Sequence, residues 1–105
     1  MAEKLFAATQ IGARRIEVRE YPAPEVSAGD ALLKVEIAGI CGSDIDGYER
    51  FGGEPRIRGH ENVGFIAKIG ADASRRWGIK EGVRVVIEQY LPCGTCRSCP
   101  IGEYR

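Results

Sequence analysis

The segment ALLKVEIAGI, residues 31–40, indicates the fold class because its apolar and polar residues alternate. Leu33, Val35 and Ile37 would share one face of an extended chain, while charged residues occupy the positions between them. A period of two residues is typical of a strand that turns one face toward a core. Residues 31–40 are therefore predicted to form a β-strand.

Three further segments have the same character, and Gly or Pro residues lie between them. They are RRIEVRE at residues 14–20, NVGFIAKIG at 62–70 and VRVVIEQY at 83–90. The Pro-containing segment at residues 21–30 cannot continue a helix and is predicted to be a turn. The predicted fold class is mainly β.

One short helix is predicted directly after the strand at residues 31–40. Ser43 is a suitable N-cap, and Asp44 and Asp46 would lie in the first turn, near the positive end of the helix dipole. The sequence RFGGEP at residues 50–55 would end the helix. The expected architecture is thus β-rich with one or two short helices.

The composition is typical of one soluble globular domain. The chain has 105 residues, 44% of them hydrophobic, and its 15 Lys and Arg residues balance 15 Asp and Glu residues. This balance gives no electrostatic reason to expect nucleic acid or a membrane surface as a partner. MAEKLFAATQ is too polar for a signal peptide, and no run of eighteen apolar residues occurs. A cytoplasmic location is therefore expected, where cysteines are usually free thiols or metal ligands.

Three of the four cysteines form a cluster near the end of the chain. Cys93, Cys96 and Cys99 lie three residues apart, a spacing typical of zinc-binding loops, and a structural zinc would need a fourth ligand. Glu103 is a poor fourth ligand for a thiolate-rich site. Three unliganded loop cysteines remain an alternative. An iron–sulfur cluster fits less well, because Pro100 follows at once and no fourth cysteine comes three residues later.

A second candidate site joins AGICGSD to RGHENVG and contains the chain's only histidine. Cys41 and His60 each lie at a predicted strand–loop transition, where a side chain can face a cleft. Glu61 could be a third ligand of a catalytic zinc or a nearby carboxylate, and Asp44 could orient the histidine ring. The alternative is a cysteine that fills the core and a histidine with a purely structural role.

Three segments carry a specific resemblance: GICGSD at residues 39–44, GHENVGFIAKIGADA at 59–73 and GVRVVIEQYLPCGTCRSCPIGEYR at 82–105. In this order they are similar to the amino-terminal catalytic, GroES-like domain of the medium-chain zinc-dependent alcohol dehydrogenases. The resemblance runs from about Phe6 to Arg105. It implies a GroES-like, partly open β-barrel with a cysteine-rich zinc loop, and it makes residues 1–105 an incomplete catalytic domain.

The resemblance also implies roles for particular residues. Cys41 and His60 would be catalytic zinc ligands, Glu61 would lie at or beside the metal, and Ser43 would pass on the proton of a substrate alcohol. Asp44 keeps its expected place beside the histidine. The triplet Cys93, Cys96 and Cys99 would bind a structural zinc, with the fourth cysteine expected two residues beyond Arg105. Many members have a histidine where this chain has Asp46, so the proton relay beyond Ser43 is not carried over.

The implied activity is that of an NAD(P)-dependent alcohol or polyol dehydrogenase, an oxidoreductase that transfers a hydride from a small-molecule alcohol. The Rossmann cofactor domain is expected outside this chain, since no G-x-G-x-x-G fingerprint occurs in it. The chain alone is therefore expected to be inactive. The longer protein that contains it is compatible with a homo-oligomer. Two alternatives are a stand-alone zinc-binding interaction module and the metal-free GroES-like domain of a zinc-independent reductase. The balanced charge and the lack of interleaved basic and aromatic residues around Arg97 argue against the module. The reductase needs neither the GHE segment nor the cysteine triplet.

Overall fold

The structure, a computed structural model, describes residues 3–103 as two antiparallel sheets, two short helices and a cysteine-rich loop. The first sheet has the order β2-β1-β4, and the second has the order β3-β5-β6. Within residues 3–103 no strand pairing joins the two sheets. The strands are β1 Lys4–Gly12, β2 Arg15–Pro22, β3 Ala31–Gly39, β4 Arg56–Ile57, β5 Glu61–Ile69 and β6 Arg84–Val86.

The first sheet is a long hairpin with one short added strand. β1 and β2 pair from Lys4 opposite Pro22 to Gln10 opposite Ile16. On its other edge, β1 pairs with β4 at Thr9 and Gln10. This pairing fixes the start of the segment that leads from β4 into β5.

The second sheet is built on the pairing of β3 with β5. The register runs from Ala31 opposite Ile69 to Gly39 opposite Glu61, so the end of β3 lies beside the start of β5. Gly64 of β5 passes so close to the backbone of Lys34 that a Cβ atom there would collide with the Lys34 carbonyl. A side chain at residue 64 is therefore incompatible with this pairing.

The strand prediction for residues 31–40 is confirmed, but the predicted apolar face is largely uncovered. Val35 and Ile37 are 53% and 57% exposed. The register also shifts between these two residues, because Val35 faces Gly64 while Ile37 faces Val63. This bulge changes the phase of the alternation that the sequence pattern assumed.

Both helices are short. α1 spans Gly42–Glu49 and α2 spans Ala71–Trp77. The prediction that Ser43 is the N-cap of α1 is wrong: Cys41 is the N-cap, and the Asp44 carboxylate accepts the Cys41 backbone N–H at 2.9 Å. The carboxylate at the third helical position satisfies this N–H, so the hydroxyl of Ser43 is not needed for capping.

The prediction of a strand across residues 83–90 holds only for β6, which pairs with Val63–Phe65 of β5. The chain then continues without regular structure to a 3₁₀ turn at Cys99–Ile101. In residues 3–103 no helix is long and apolar enough to cross a lipid bilayer.

The buried interior is small and contains polar side chains. Ile66 and Ala73 are the buried apolar residues, while Thr9 and Gln10 of β1 are 0% and 2% exposed. The Thr9 hydroxyl shares a hydrogen bond of 2.7 Å with the Tyr21 hydroxyl. Buried polar groups persist in a core when they have hydrogen-bond partners, and both side chains have them.

Candidate metal centre

The first donor cluster lies where the end of β3, the start of α1 and the start of β5 meet. The pairing of Gly39 with Glu61 brings these chain ends together. Cys41 follows β3 by two residues, and His60 immediately precedes β5. Gly59 has φ +122°, a left-handed region that favours glycine, and this sharp turn directs the chain into His60.

The side chains of Cys41, His60 and Glu61 converge. A ligand atom of each lies within 4.8 Å of the ligand atoms of the other two. These donors form one thiol, one imidazole and one carboxylate, all of which zinc accepts. Since zinc–ligand bonds are about 2.0–2.3 Å long, small side-chain movements would let all three reach one ion. The donor set therefore fits zinc.

Asp44 lies behind this cluster and contacts both of its segments. One carboxylate oxygen accepts the Cys41 backbone N–H. The other lies 3.6 Å from Nδ1 of His60, which is longer than a hydrogen bond. Its negative charge is close enough to act on the imidazole ring.

Neighbouring groups lower the pKa of the Cys41 thiol and raise the pKa of the His60 imidazole. Hydrogen bonds from the side chain and the backbone of Ser43, and then from His60, lower the pKa of Cys41. The hydrogen bond to Cys41, followed by the negative charge of Asp44, raises the pKa of His60. Ser43 is exposed and touches the thiol, which places its hydroxyl at the edge of the cluster.

A cleft of about 750 Å³ opens over the donors. Cys41, His60 and Glu61 line it together with apolar side chains from β3, β5 and β6, which are Ile37, Val63 and Val86. Asn62, Glu88 and Gln89 add polar groups to this lining, so the wall of the cleft is mixed. The arrangement can hold a metal next to a small organic molecule.

The second cluster is local and exposed. The Sγ atoms of Cys93 and Cys96 lie 3.6 Å and 3.3 Å from Sγ of Cys99, and all four cysteines of the chain are free thiols. Backbone and side-chain hydrogen bonds from Thr95 lower the pKa of Cys93 to about 6. A loop that stabilises thiolates suits a metal. The expected fourth ligand, beyond Arg105, lies outside the described residues.

Sequence reasoning did not identify several residues around the first cluster. Glu88 and Gln89 line the same cleft. Gln10 and Arg58 contact the segments that carry the donors, as described below. The hydrogen-bond partners of Gln10 and Arg58 are distant from them in sequence, so no local pattern could indicate these two residues.

Comparison with known proteins agrees with this geometry. The family model for the alcohol dehydrogenase GroES-like domain matches residues 27–105. A probable alcohol dehydrogenase of Mycobacterium tuberculosis is 46% identical over 94 residues, which cover 88% of this chain and 26% of the relative. An erythritol/L-threitol dehydrogenase of Mycolicibacterium smegmatis is 37% identical over 114 residues, with coverage of 97% and 32%.

Solved structures share the fold. Alcohol dehydrogenase TADH from Thermus sp. ATN1 matches with a TM-score of 0.83 and 33% identity over 95% of this chain and 29% of that protein. The chain thus spans about a quarter to a third of the length of these proteins. The mainly β GroES-like fold is confirmed, and the chain belongs to the alcohol dehydrogenase GroES-like domain family.

Proposed function

We propose that the chain is the zinc-bearing catalytic domain of an NAD(P)-dependent alcohol or polyol dehydrogenase. The observation that carries the proposal is the convergence of Cys41, His60 and Glu61 at the base of an open cleft. The relatives described as alcohol and erythritol/L-threitol dehydrogenases support this substrate class. The stand-alone module and the metal-free reductase do not explain a second donor cluster inside a cleft.

In this proposal Cys41, His60 and Glu61 hold the catalytic zinc. When bound there, zinc supplies the Lewis acidity that lowers the pKa of an alcohol hydroxyl. Ser43 would accept the hydroxyl proton while releasing its own proton toward solvent, which its exposed position next to Cys41 permits. Asp44 holds the start of α1 and keeps a negative charge near the imidazole ring of His60.

The cleft would contribute the position of the substrate. Ile37, Val63 and Val86 form apolar walls next to the donors. Such walls would orient the carbon chain of a small alcohol beside the donors. The nicotinamide cofactor would come from a separate domain, because this chain has no glycine fingerprint for a dinucleotide.

The cysteine loop has a structural role in this proposal. Cys93, Cys96 and Cys99 would bind a second zinc together with a fourth ligand. The cytoplasm is the proposed compartment, since four free thiols suit a reducing environment.

A domain graft tests the activity. Residues 1–105 would replace the matched segment of the Mycobacterium tuberculosis relative, and reduction of NAD or NADP would be followed with alcohols and polyols. We expect turnover in the graft and its loss, by at least about a hundredfold, in Cys41→Ala, because removal of a ligand to an essential metal removes the Lewis acid. Gly29→Ala is the control, since an added Cβ there meets no atom within 4 Å. A graft that folds and binds zinc and cofactor but turns over no alcohol or polyol would contradict the proposal.

A further inference from the structure

Gln10 is a buried side chain with hydrogen bonds to two different parts of the chain. It is 2% exposed, although glutamine is usually a surface residue. Its amide nitrogen lies 3.0 Å from the Gly47 carbonyl and 3.3 Å from the Tyr48 carbonyl, both in the last turn of α1. Its amide oxygen accepts a hydrogen bond from Nε of Arg58.

The two partners of Gln10 belong to the two segments that carry the metal donors. α1 begins directly after Cys41 and includes Asp44. Arg58 precedes His60 by two residues, and its guanidinium group also lies against Gly47 of α1. The side chain of Gln10 therefore joins the far end of α1 to the segment that leads into His60.

The backbone around Gln10 reinforces this connection. Gln10 is the register partner of Arg56 in β4, at the start of the segment that ends in His60. Its amide nitrogen also lies 3.2 Å from the Gly12 carbonyl of β1 itself, which fixes the orientation of the amide. A buried amide whose carbonyl and amino groups are all engaged has one favourable position, and it transmits that position to its partners.

We propose that Gln10 is a positioning residue for the candidate metal centre, because its amide sets the placement of the Cys41 and His60 segments relative to each other. The inference rests on the proposed function, since it assigns Gln10 to the same site. Outer partners that orient metal ligands typically change metal affinity about 10–100-fold when they are removed. Gln10 acts at greater distance than such partners, so we expect an effect near tenfold.

Cadmium-113 NMR on the 105-residue chain tests the proposal. The cadmium chemical shift rises with the number of sulfur ligands, so the one-sulfur centre and the three-sulfur loop give separate signals. Gln10→Met keeps the length of the side chain and removes its hydrogen bonds. We expect cadmium affinity to fall about tenfold at the one-sulfur centre and to stay unchanged at the loop, which serves as the internal reference.

Thr9→Val is the matched control variant. Thr9 is as buried as Gln10 and adjacent in β1, but its hydroxyl contacts Tyr21 and the Ala7 carbonyl, not the donor segments. The control should lose stability while cadmium affinity at both sites stays the same. Equal affinities at the one-sulfur centre in the Gln10→Met and Thr9→Val chains would overturn the proposal.

Arg58→Met is a second test of the same connection. It changes an exposed residue, whereas Gln10→Met changes a buried one. Its effect on the one-sulfur centre should resemble that of Gln10→Met, and the double variant should lose no more than about tenfold, since both changes break one connection. Additive losses would overturn the proposal. Absence of a one-sulfur signal from the unmodified chain would instead overturn the proposed function, and this inference with it.

Discussion

The two donor clusters of this domain are built in opposite ways. Cys41, His60 and Glu61 come from separate parts of the chain and meet because β3 pairs with β5. Cys93, Cys96 and Cys99 lie within seven consecutive positions of an irregular loop. The first cluster needs the folded sheet, whereas the second needs only a turn of the chain.

The two clusters therefore differ in what holds their ligand side chains in position. The centre is supported by a strand pairing, a helix cap at Cys41 and a buried amide at Gln10. The loop has no pairing with a strand, and Cys93 and Cys96 are exposed. Ordering a loop costs conformational entropy, and a bound metal offsets that cost where packing cannot. The sheet thus positions the first cluster without a metal, whereas the loop would gain most from a metal if it binds one, as proposed above.

The largest expected effect is on the sheet that forms the centre. Gly64→Ala would push a Cβ into the Lys34 carbonyl, so the β3–β5 pairing must distort. We expect a loss of about 2–3 kcal/mol or more in the free energy of unfolding, measured by urea denaturation. Metal affinity should fall at the Cys41–His60 centre and remain at the cysteine loop.

Gly29→Ala is the matched control for this change, because its added Cβ meets no atom within 4 Å. Its free energy of unfolding should stay within about 0.5 kcal/mol of the unmodified chain. If Gly64→Ala lowered metal affinity equally at both clusters, the loop would depend on the sheet, and the contrast between the two regions would be wrong.

A smaller effect is expected on the pKa values of the cysteine thiols. Different neighbours shift the pKa of Cys41 and that of Cys93. In the metal-free chain, alkylation of Cys93 should show a midpoint near pH 6, because contacts with Thr95 lower its pKa to about 6 from 9.0. These contacts favour the thiolate, so their stabilisation is complete above the unfolded pKa and is lost as the pH falls through about 6. Mass spectrometry of alkylated peptides measures each cysteine separately.

Substitution distinguishes the two regions in the same assay. Ser43→Ala should raise the pKa of Cys41, since the Ser43 side chain is the largest cause of its lowering. Thr95→Val should raise the pKa of Cys93, where the Thr95 hydroxyl contributes after the backbone. Each change should leave the other cysteine unaltered, and a shift at both would show that the clusters are coupled.

Much of the fold could be predicted from the alternation of residue types. β2, β3 and β5 lie where the pattern placed them. The pattern gave no sign of β1, because Thr9 and Gln10 are polar and yet both are buried, against different parts of the chain. It also extended the last strand past Val86, where the structure ends β6.

The sequence predicted the metal-donor residues of the candidate site, but not the contacts that hold these residues in position. Cys41 and His60 lie at strand ends, and that position is visible in the sequence. The contacts of Gln10 span 37, 38 and 48 residues, so only the tertiary structure reveals them. The N-cap was misassigned for a related reason: serine is the commoner cap, but the Asp44 carboxylate makes Cys41 suitable.

The smallest expected effect separates the two contacts of Asp44. Asp44→Asn keeps an oxygen that can accept the Cys41 N–H but removes the charge that lies 3.6 Å from Nδ1 of His60. We expect the free energy of unfolding to change by only a few tenths of a kcal/mol, about as for other cap exchanges, whereas Asp44→Ala should lose about 1 kcal/mol with the cap.

The pKa of His60 should fall in both Asp44 variants, because the Asp44 charge is one of the causes that raise it. His60 is the only histidine, so its ring proton gives one unambiguous NMR titration curve. A raised His60 pKa stabilises the folded state at pH values below the unfolded pKa, and that stabilisation is lost as the pH rises through the folded pKa. Asp44→Asn should therefore weaken the domain slightly more at low pH than at high pH. An unchanged His60 midpoint in Asp44→Asn would show that Asp44 serves the helix alone, and the raised pKa of His60 would then come from Cys41.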